Sequence, residues 1–512
     1  MGPATVQLRD TKQYSGEWTR PRVLSCALKR STIFEALIAI AACGWMLLFA
    51  HNGLWASFSG DDLMNLNGHL TRGTLHLLGD CFQYWSTSYR PLGGLFYVGF
   101  YGLFGFHPLP FRLACFALLA LNLGLLGRFA FRLSGSREIS ALVLLLAGYN
   151  AWLVDLYHST GTVYDLLAYF FFFSAFNMYL GTRQRSQLIG WQKTGVVTAL
   201  YICALNAKEA AVTLPALFLA YELIYHPHAL RQSGLTWLWR EGRAVVLSGL
   251  LTVPYILGKT MGAGSLVENP AYRLTIDPVK YVRTFHMYLN VMLYQDGVFR
   301  SPNTIQLVSA MLVLAVVLRS KPLIFAWCFL TLGLFPVAFI AHYAGFFIYF
   351  PMVGWALYAA TLLSGARRLM VRALTSVAEA EKTWAYLEIA SAAALPILLA
   401  LVLAPYHQRQ SAKTLRIFQS AQPPSRELAT ALLSARPRLP RGAHILFLGD
   451  PFPRNEYFLL FLTRLVYHDL SITVDKASPG QIPPIDQARY EATFAFKEGQ
   501  LIGVSKLRTR GM

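Results

Sequence analysis

Two carboxylates stand side by side at Asp61 and Asp62 in the stretch SFSGDDLMNLNGHL, residues 57 to 70. A carboxylate in a partly desolvated cleft can take a proton from a hydroxyl or amine nucleophile, so one of the pair suits a general base. An Asp after Gly equally suits capping of a following helix, whose free N–H groups it accepts. Further on, Tyr89-Arg90-Pro91 presents a guanidinium fork that matches a phosphate at two points or anchors the chain among lipid headgroups. Asp155, Tyr157, His158, Thr160, Gly161, Thr162, Tyr164 and Asp165 follow as a polar turn. Asp165 runs directly into the apolar LLAYFFFFSAF, where a charge is usually functional or paired. Lys208 and Glu209 interrupt another apolar run. Adjacent helix residues do not face each other, so at least one of them needs a partner elsewhere, and Asp165 or an anionic ligand is available. Arg273, Arg283, His286, Tyr288, Arg300, His342, Tyr343 and Tyr349 complete the polar set, although loop residues of these types are more often solvated than catalytic.

The elements that would carry these residues are membrane spans. Of 512 residues, 55% are apolar and only 14% charged, against about 25% charged in a soluble domain. The net charge of +19 lies in short clusters between apolar runs, which is how a polytopic membrane protein sets its orientation and not how a chain grips nucleic acid. Residues 32 to 51 form a first apolar run of the ~20 positions that cross a bilayer. Polar residues and not a small-x-small cleavage site follow it, which predicts an uncleaved anchor. Further runs lie near 110–130, 138–154, 164–181, 195–207, 210–225, 244–260, 304–318, 322–341, 346–364 and 384–404. The run at 92–106 is short and Gly-rich, suited to an interfacial or re-entrant helix. If it does not cross, the later basic clusters share the N-terminal side, as the positive-inside rule requires.

The expectation is therefore an α-helical polytopic protein of about eleven spans: a basic cytoplasmic N-terminus at 1–31, a membrane domain at 32–405 with a first external loop at 52–109, and an external tail. That tail reads as a Pro-rich linker at 406–440 and a small α/β domain at 441–512, with a strand at 444–450, a helix at 455–468 and a hairpin at 491–504. The six Cys imply no disulfide framework. The lack of an Asn-x-Ser/Thr sequon hints at a bacterial inner-membrane protein. No nucleotide-binding loop and no zinc-type Cys/His spacing is present.

Taken in order, these motifs resemble the GT-C glycosyltransferases, integral membrane enzymes that use polyprenyl-phosphate sugars, and among them the protein O-mannosyltransferases and lipid A aminoarabinose transferases. The resemblance covers roughly residues 32 to 364. It rests on Asp61-Asp62 after the first span, Arg90-Pro91, the G-T-x-x-D turn from Gly161 to Asp165, Asn206-Ala207-Lys208-Glu209, and Tyr349-x-Pro351-x-x-Gly354. It implies Asp61 as the catalytic base with Asp62 second, Arg90 and Lys208 as ligands of the donor phosphate, and Asp165 shaping the substrate site. His158, Tyr89, Glu209, His342 and Tyr349 would contribute to substrate binding. Asp-Asp stands where the family often has an acidic-Glu pair, and His342 where related sequences commonly have Arg. The acceptor would be a protein, lipid or glycan; a divalent metal is compatible with this chemistry but nothing demands one. A transporter or lipid flippase, a polysaccharide polymerase or ligase of another fold using the 261–303 loop, and a non-catalytic sensor are the alternatives.

Overall fold

A computed structural model describes residues 21–185, 189–227, 234–261, 264–295, 301–375, 381–452, 457–477, 489–497 and 500–504. Most of the expected basic N-terminus and Arg300 lie outside these residues. The chain is predominantly helical with one small sheet. Among the described residues five helical stretches are long and apolar enough to cross a membrane: Glu35–Trp55, Pro108–Ser134, Thr160–Arg183, Lys321–Ala338 and Tyr386–Ala435. A sixth results if Arg137–Ala147 and Ala151–His158, bent by 61°, form one span. The bend follows from Asn150, whose side chain accepts from the Trp152 N–H and starts a new turn.

The run expected to hold two spans around Lys208 folds as helices Trp191–Ala207 and Leu214–Tyr225, of 17 and 12 residues. Between them Lys208 is extended (φ −162°, ψ 150°), and the chain resumes through the 3-10 turn Glu209–Thr213. Pro215, in the first turn of the next helix, needs no intrahelical N–H bond there. The break lets two adjacent charged side chains leave the backbone in different directions.

The apolar run at 92–106 becomes the helix Pro91–Phe104, 14 residues long, too short to cross by the ~20-residue measure. It packs on the loop helices Gly60–Arg72 and Thr74–Phe82. Close approach requires Gly93, where a Cβ would run into the Tyr164 ring. At its other end the Tyr101 hydroxyl donates to the Leu465 carbonyl at 2.7 Å.

Phe129, Phe172, Phe173, Phe176, Phe325 and Phe329 are all fully buried where three of the long helices meet. Lipid tails are as apolar as these rings, so inside a bilayer the cluster would hold by shape and dispersion more than by exclusion of water. Glu222, inside an apolar helix, accepts from Arg183 Nη2 and the Tyr179 hydroxyl, both at 2.7 Å.

The C-terminal sheet has the order β2-β1-β3-β4, from β1 (His444–Leu448), β2 (Thr473–Ala477), β3 (Ala492–Lys497) and β4 (Gln500–Val504). β1 is parallel to β2 and β3, and β3 and β4 form an antiparallel hairpin. Strand, helix (Phe458–Val466) and hairpin fall where the sequence predicts them; β2, half polar, escapes the pattern. The expected linker at 406–440 is mostly helix instead. Glu381–Ala421 runs on past Pro405, because 406–421 holds neither Gly nor Pro, and only Pro423-Pro424 break it before the helix Ser425–Ala435.

Candidate functional site at the head of an apolar cavity

Two ion pairs meet where the loop helices join the membrane helices. Arg90 precedes Pro91 in the left-handed region (φ 46°), which turns its side chain away from the helix it caps. Its Nε and Nη2 bond the Glu209 carboxylate at 3.2 and 2.8 Å, and its Nη1 donates to the Tyr89 hydroxyl at 2.7 Å. Lys208 Nζ lies 2.6 Å from both oxygens of Asp165. Lys208 and Asp165 are both more than nine-tenths buried. The ammonium also stands 4.5 Å from the centroid of the Phe346 ring, a cation–π contact. Arg90 and Lys208, brought together by the resemblance alone, are thus neighbours in space, each already matched to an anion. Burial by itself would raise the Glu209 carboxyl; the charge and hydrogen bonds of Arg90 outweigh it and push it down to about 2.

These four residues form the polar end of a cavity of about 280 Å³ whose remaining walls are largely apolar, among them Val212, Ile256, Leu274, Phe335 and Phe350. Lys259 is the fifth charged residue there, and sequence reasoning missed it. A Lys in the last turn of an apolar helix reads as ordinary snorkelling. Its neighbour carried the signal: a Cβ at Gly258 would collide with the Trp85 carbonyl, so the helix end packs tightly on the loop and Lys259 Nζ donates to the Ser88 carbonyl. Three cations against two carboxylates leave the cavity wall with one net positive charge.

The adjacent aspartates separate into two roles. Asp62 is fully buried and closes a capping box on the helix Gly60–Arg72: Ser59 N–H donates to its Oδ2 at 2.8 Å while the Ser59 hydroxyl accepts from its N–H. The Ser159 hydroxyl also donates to Oδ1 at 3.1 Å. Asp61 takes no part in the cap and remains accessible to solvent. Although one side of the residue meets solvent, the protein packed around its carboxyl partly desolvates it and raises its pKa, with the charge of His342 pulling the other way. His342 is held in place by its N–H donating to the Ala271 carbonyl at 2.8 Å. Its ring stands 5.8 Å from Tyr272 and 5.5 Å from Phe347, both of which line the cavity. Asp61 and the cavity therefore approach each other across His342.

Two expected substrate residues lie elsewhere. His158 bonds the Val154 carbonyl and lines a separate cleft with Phe418 and Gln422; a histidine in the last turn of a short helix satisfies the backbone before it reaches a distant ligand. The Tyr349 hydroxyl accepts from Asn122 at 3.2 Å and its ring stacks on Tyr169 at 4.3 Å, inside the helix packing. Tyr89 and Glu209 do belong to the charged cluster. Among the described residues no group of three or more His, Cys, Asp or Glu side chains is placed to hold a metal ion.

No protein-family model matches the chain, and no curated protein matches it.

Proposed function

We propose that the chain is a bacterial inner-membrane glycosyltransferase of GT-C type that moves a sugar from a polyprenyl phosphate to an extracytoplasmic acceptor. In this reading the shorter helices also serve as spans, giving about eleven, with the N-terminus cytoplasmic and the C-terminal domain outside. The observation that carries the proposal is the apolar cavity ending in Arg90, Lys208 and Lys259 beside two carboxylates. An isoprenoid tail fits the apolar walls, and the single net positive charge matches a sugar phosphodiester, which carries one negative charge.

The chemistry follows from the placement. Asp61 accepts the proton of an acceptor hydroxyl or amine as that atom attacks the anomeric carbon, and the bond from that carbon to the phosphate oxygen breaks with its electron pair going to the phosphate. Arg90 and Lys208 stabilise the charge that grows there, in a pocket where low dielectric strengthens each interaction. A single displacement inverts the anomeric centre. Asp62, committed to the helix cap, keeps Asp61 in position.

The test is turnover of polyprenyl-phosphate sugars by the purified detergent-solubilised protein, followed as release of polyprenyl phosphate. Release lost in Asp61→Asn supports the reading. Failure of the wild type to bind any such donor overturns it in favour of a transporter.

A further inference from the structure

A second cleft, of about 430 Å³, adjoins the donor cavity: Val337 and Ile340 line both, and His342 stands in its wall. Its floor is the helix Pro278–Met292, in the long 261–303 loop. Its two donor-only side chains are Lys280 and Arg283, and the Thr284 hydroxyl already donates to the Ala338 carbonyl at 3.2 Å. Arg283 is exposed and has no carboxylate partner among the described residues. Lys280 spends one N–H on the Phe339 carbonyl at 2.8 Å, leaving two of its three. Tyr288 is fully buried and stacked at 5.2 Å under the exposed Tyr343; its hydroxyl oxygen faces the Ala344 N–H, while its proton has no acceptor among the described residues. The one carboxylate, Asp277, is engaged in accepting from the Val279 N–H at 2.9 Å as a helix cap.

A buried hydroxyl without an acceptor is unfavourable, and a cleft of unused donors calls for a ligand rich in acceptors. We propose that this cleft is the acceptor site and selects an acceptor bearing an oxyanion, a phosphate or carboxylate, beside the hydroxyl or amine to be glycosylated. The assignment rests on the glycosyltransferase reading above. Arg283 and Lys280 bind the oxyanion, the Tyr288 hydroxyl completes its shell, and His342 marks the junction at which the nucleophile meets Asp61 and the donor. Exposed Ile276 and Val279 at the head of the same helix suit contact with a bilayer surface, so the oxyanion can arrive on a lipid or on a water-soluble molecule.

The experiment uses the full chain in detergent with the donor cavity first saturated with polyprenyl phosphate. Binding of three probes is measured by native mass spectrometry: dioctanoyl phosphatidylglycerol, sn-glycerol 1-phosphate, and glycerol as the neutral control. The wild type binds one or both phosphate probes and not glycerol. Arg283→Gln, an exposed substitution that leaves the fold intact, weakens that binding about tenfold, the loss expected for one charge-assisted contact, and Arg283→Lys recovers part of it. Binding of the lipid alone makes the acceptor membrane-held; binding of both makes the head group sufficient. Phosphate binding that is absent, or unchanged in Arg283→Gln, overturns the proposal. A protein that binds these probes through Arg283 but takes no polyprenyl phosphate overturns the transferase reading and leaves the oxyanion site standing.

Discussion

Replacing Glu209 by Gln should move stability and donor affinity in opposite directions. Arg90 is 8% exposed at its side chain and Glu209 25%, so the pair is largely shielded, and loss of one partner of a fully buried pair destabilises by about 3–5 kcal/mol. Gln keeps an oxygen for one of the guanidinium bonds, and Arg90 keeps the Tyr89 hydroxyl at 2.7 Å, which brings the expected loss nearer ~2 kcal/mol. The same substitution removes a negative charge from the wall that would face the proposed donor phosphate. At ~5 Å and an effective dielectric of ~20 that repulsion is worth up to ~3 kcal/mol; allowing for solvent at the partly exposed carboxylate, ~1.5 kcal/mol remains, about a tenfold gain in affinity. The assay pairs thermal melting of the purified protein with titration of a polyprenyl-phosphate sugar. A lower melting temperature with tighter donor binding is the expected signature. A lower melting temperature with unchanged or weaker binding would show the pair to be a structural staple, and the cavity would then lose its charged head as a phosphate site. The acid dependence follows from the same pair. Glu209, held at about 2 in the fold against roughly 4.3 unfolded, contributes stability that is fully present above pH ~4.3 and lost as the pH falls toward 2.

Four other outcomes are expected. Asp61→Asn abolishes transfer with the melting temperature unchanged, because Asp61 is outside the cap, whereas Asp62→Ala lowers stability by ~1–2 kcal/mol through loss of the capping box; equal effects from both would refute the division of roles. With burial raising Asp61, transfer should fall on acidification at a pH above the ordinary carboxylate value of ~3.9, since the base must be ionised; an acid limb at or below that value contradicts its desolvation. Gly258→Ala forces the end of its helix off the Trp85 carbonyl and carries Lys259 with it, so donor KM should rise several-fold, and an unchanged KM would remove Lys259 from the phosphate site. In a cysteine-depleted background, Arg441→Cys in the tail should react with a membrane-impermeant thiol reagent on intact cells; reaction only after permeabilisation reverses the proposed orientation.

The sequence made the helical architecture and the C-terminal strand, helix and hairpin legible because each has its own period of apolar residues. It made the Lys208–Asp165 contact legible for a different reason: a charge beside an apolar run must find an opposite charge, and the number of candidates is small. What it could not show depended on tertiary approach. The bend at Asn150 is invisible to a hydropathy window, which counts apolar residues without regard to which break is stabilised by a side chain, whereas the break at Lys208 shows because two charges interrupt the apolar run there. Tyr349 sits in a motif suggestive of substrate contact, yet Asn122, distant in sequence, claims its hydroxyl. Lys259 gave no signal because the Trp85 carbonyl that packs on Gly258 belongs to another part of the chain.

The pairing of charges at the cavity head bears on how a lipid-borne anion reaches it. Unpaired Arg90 and Lys208 at this depth would each carry a desolvation penalty of several kcal/mol while the cavity is empty, so Glu209 and Asp165 let the site persist without ligand. The cations then do not have to be freed for a phosphate to bind. Arg90 offers five N–H donors and Lys208 three, and the carboxylates and Tyr89 leave several of them unspent, so one net positive charge can be shared with an incoming phosphodiester while both ion pairs stay formed. In the proposed transfer the product is a phosphate monoester that approaches two negative charges. It is held by the same wall with only one net positive charge to answer it, and the carboxylates that stabilised the empty site now oppose the product. Glu209 and Asp165 thereby favour departure of the spent carrier, and in Glu209→Gln the slow step should move toward product release: a burst of polyprenyl phosphate formation in the first turnover followed by a slower steady state, against linear release in the wild type.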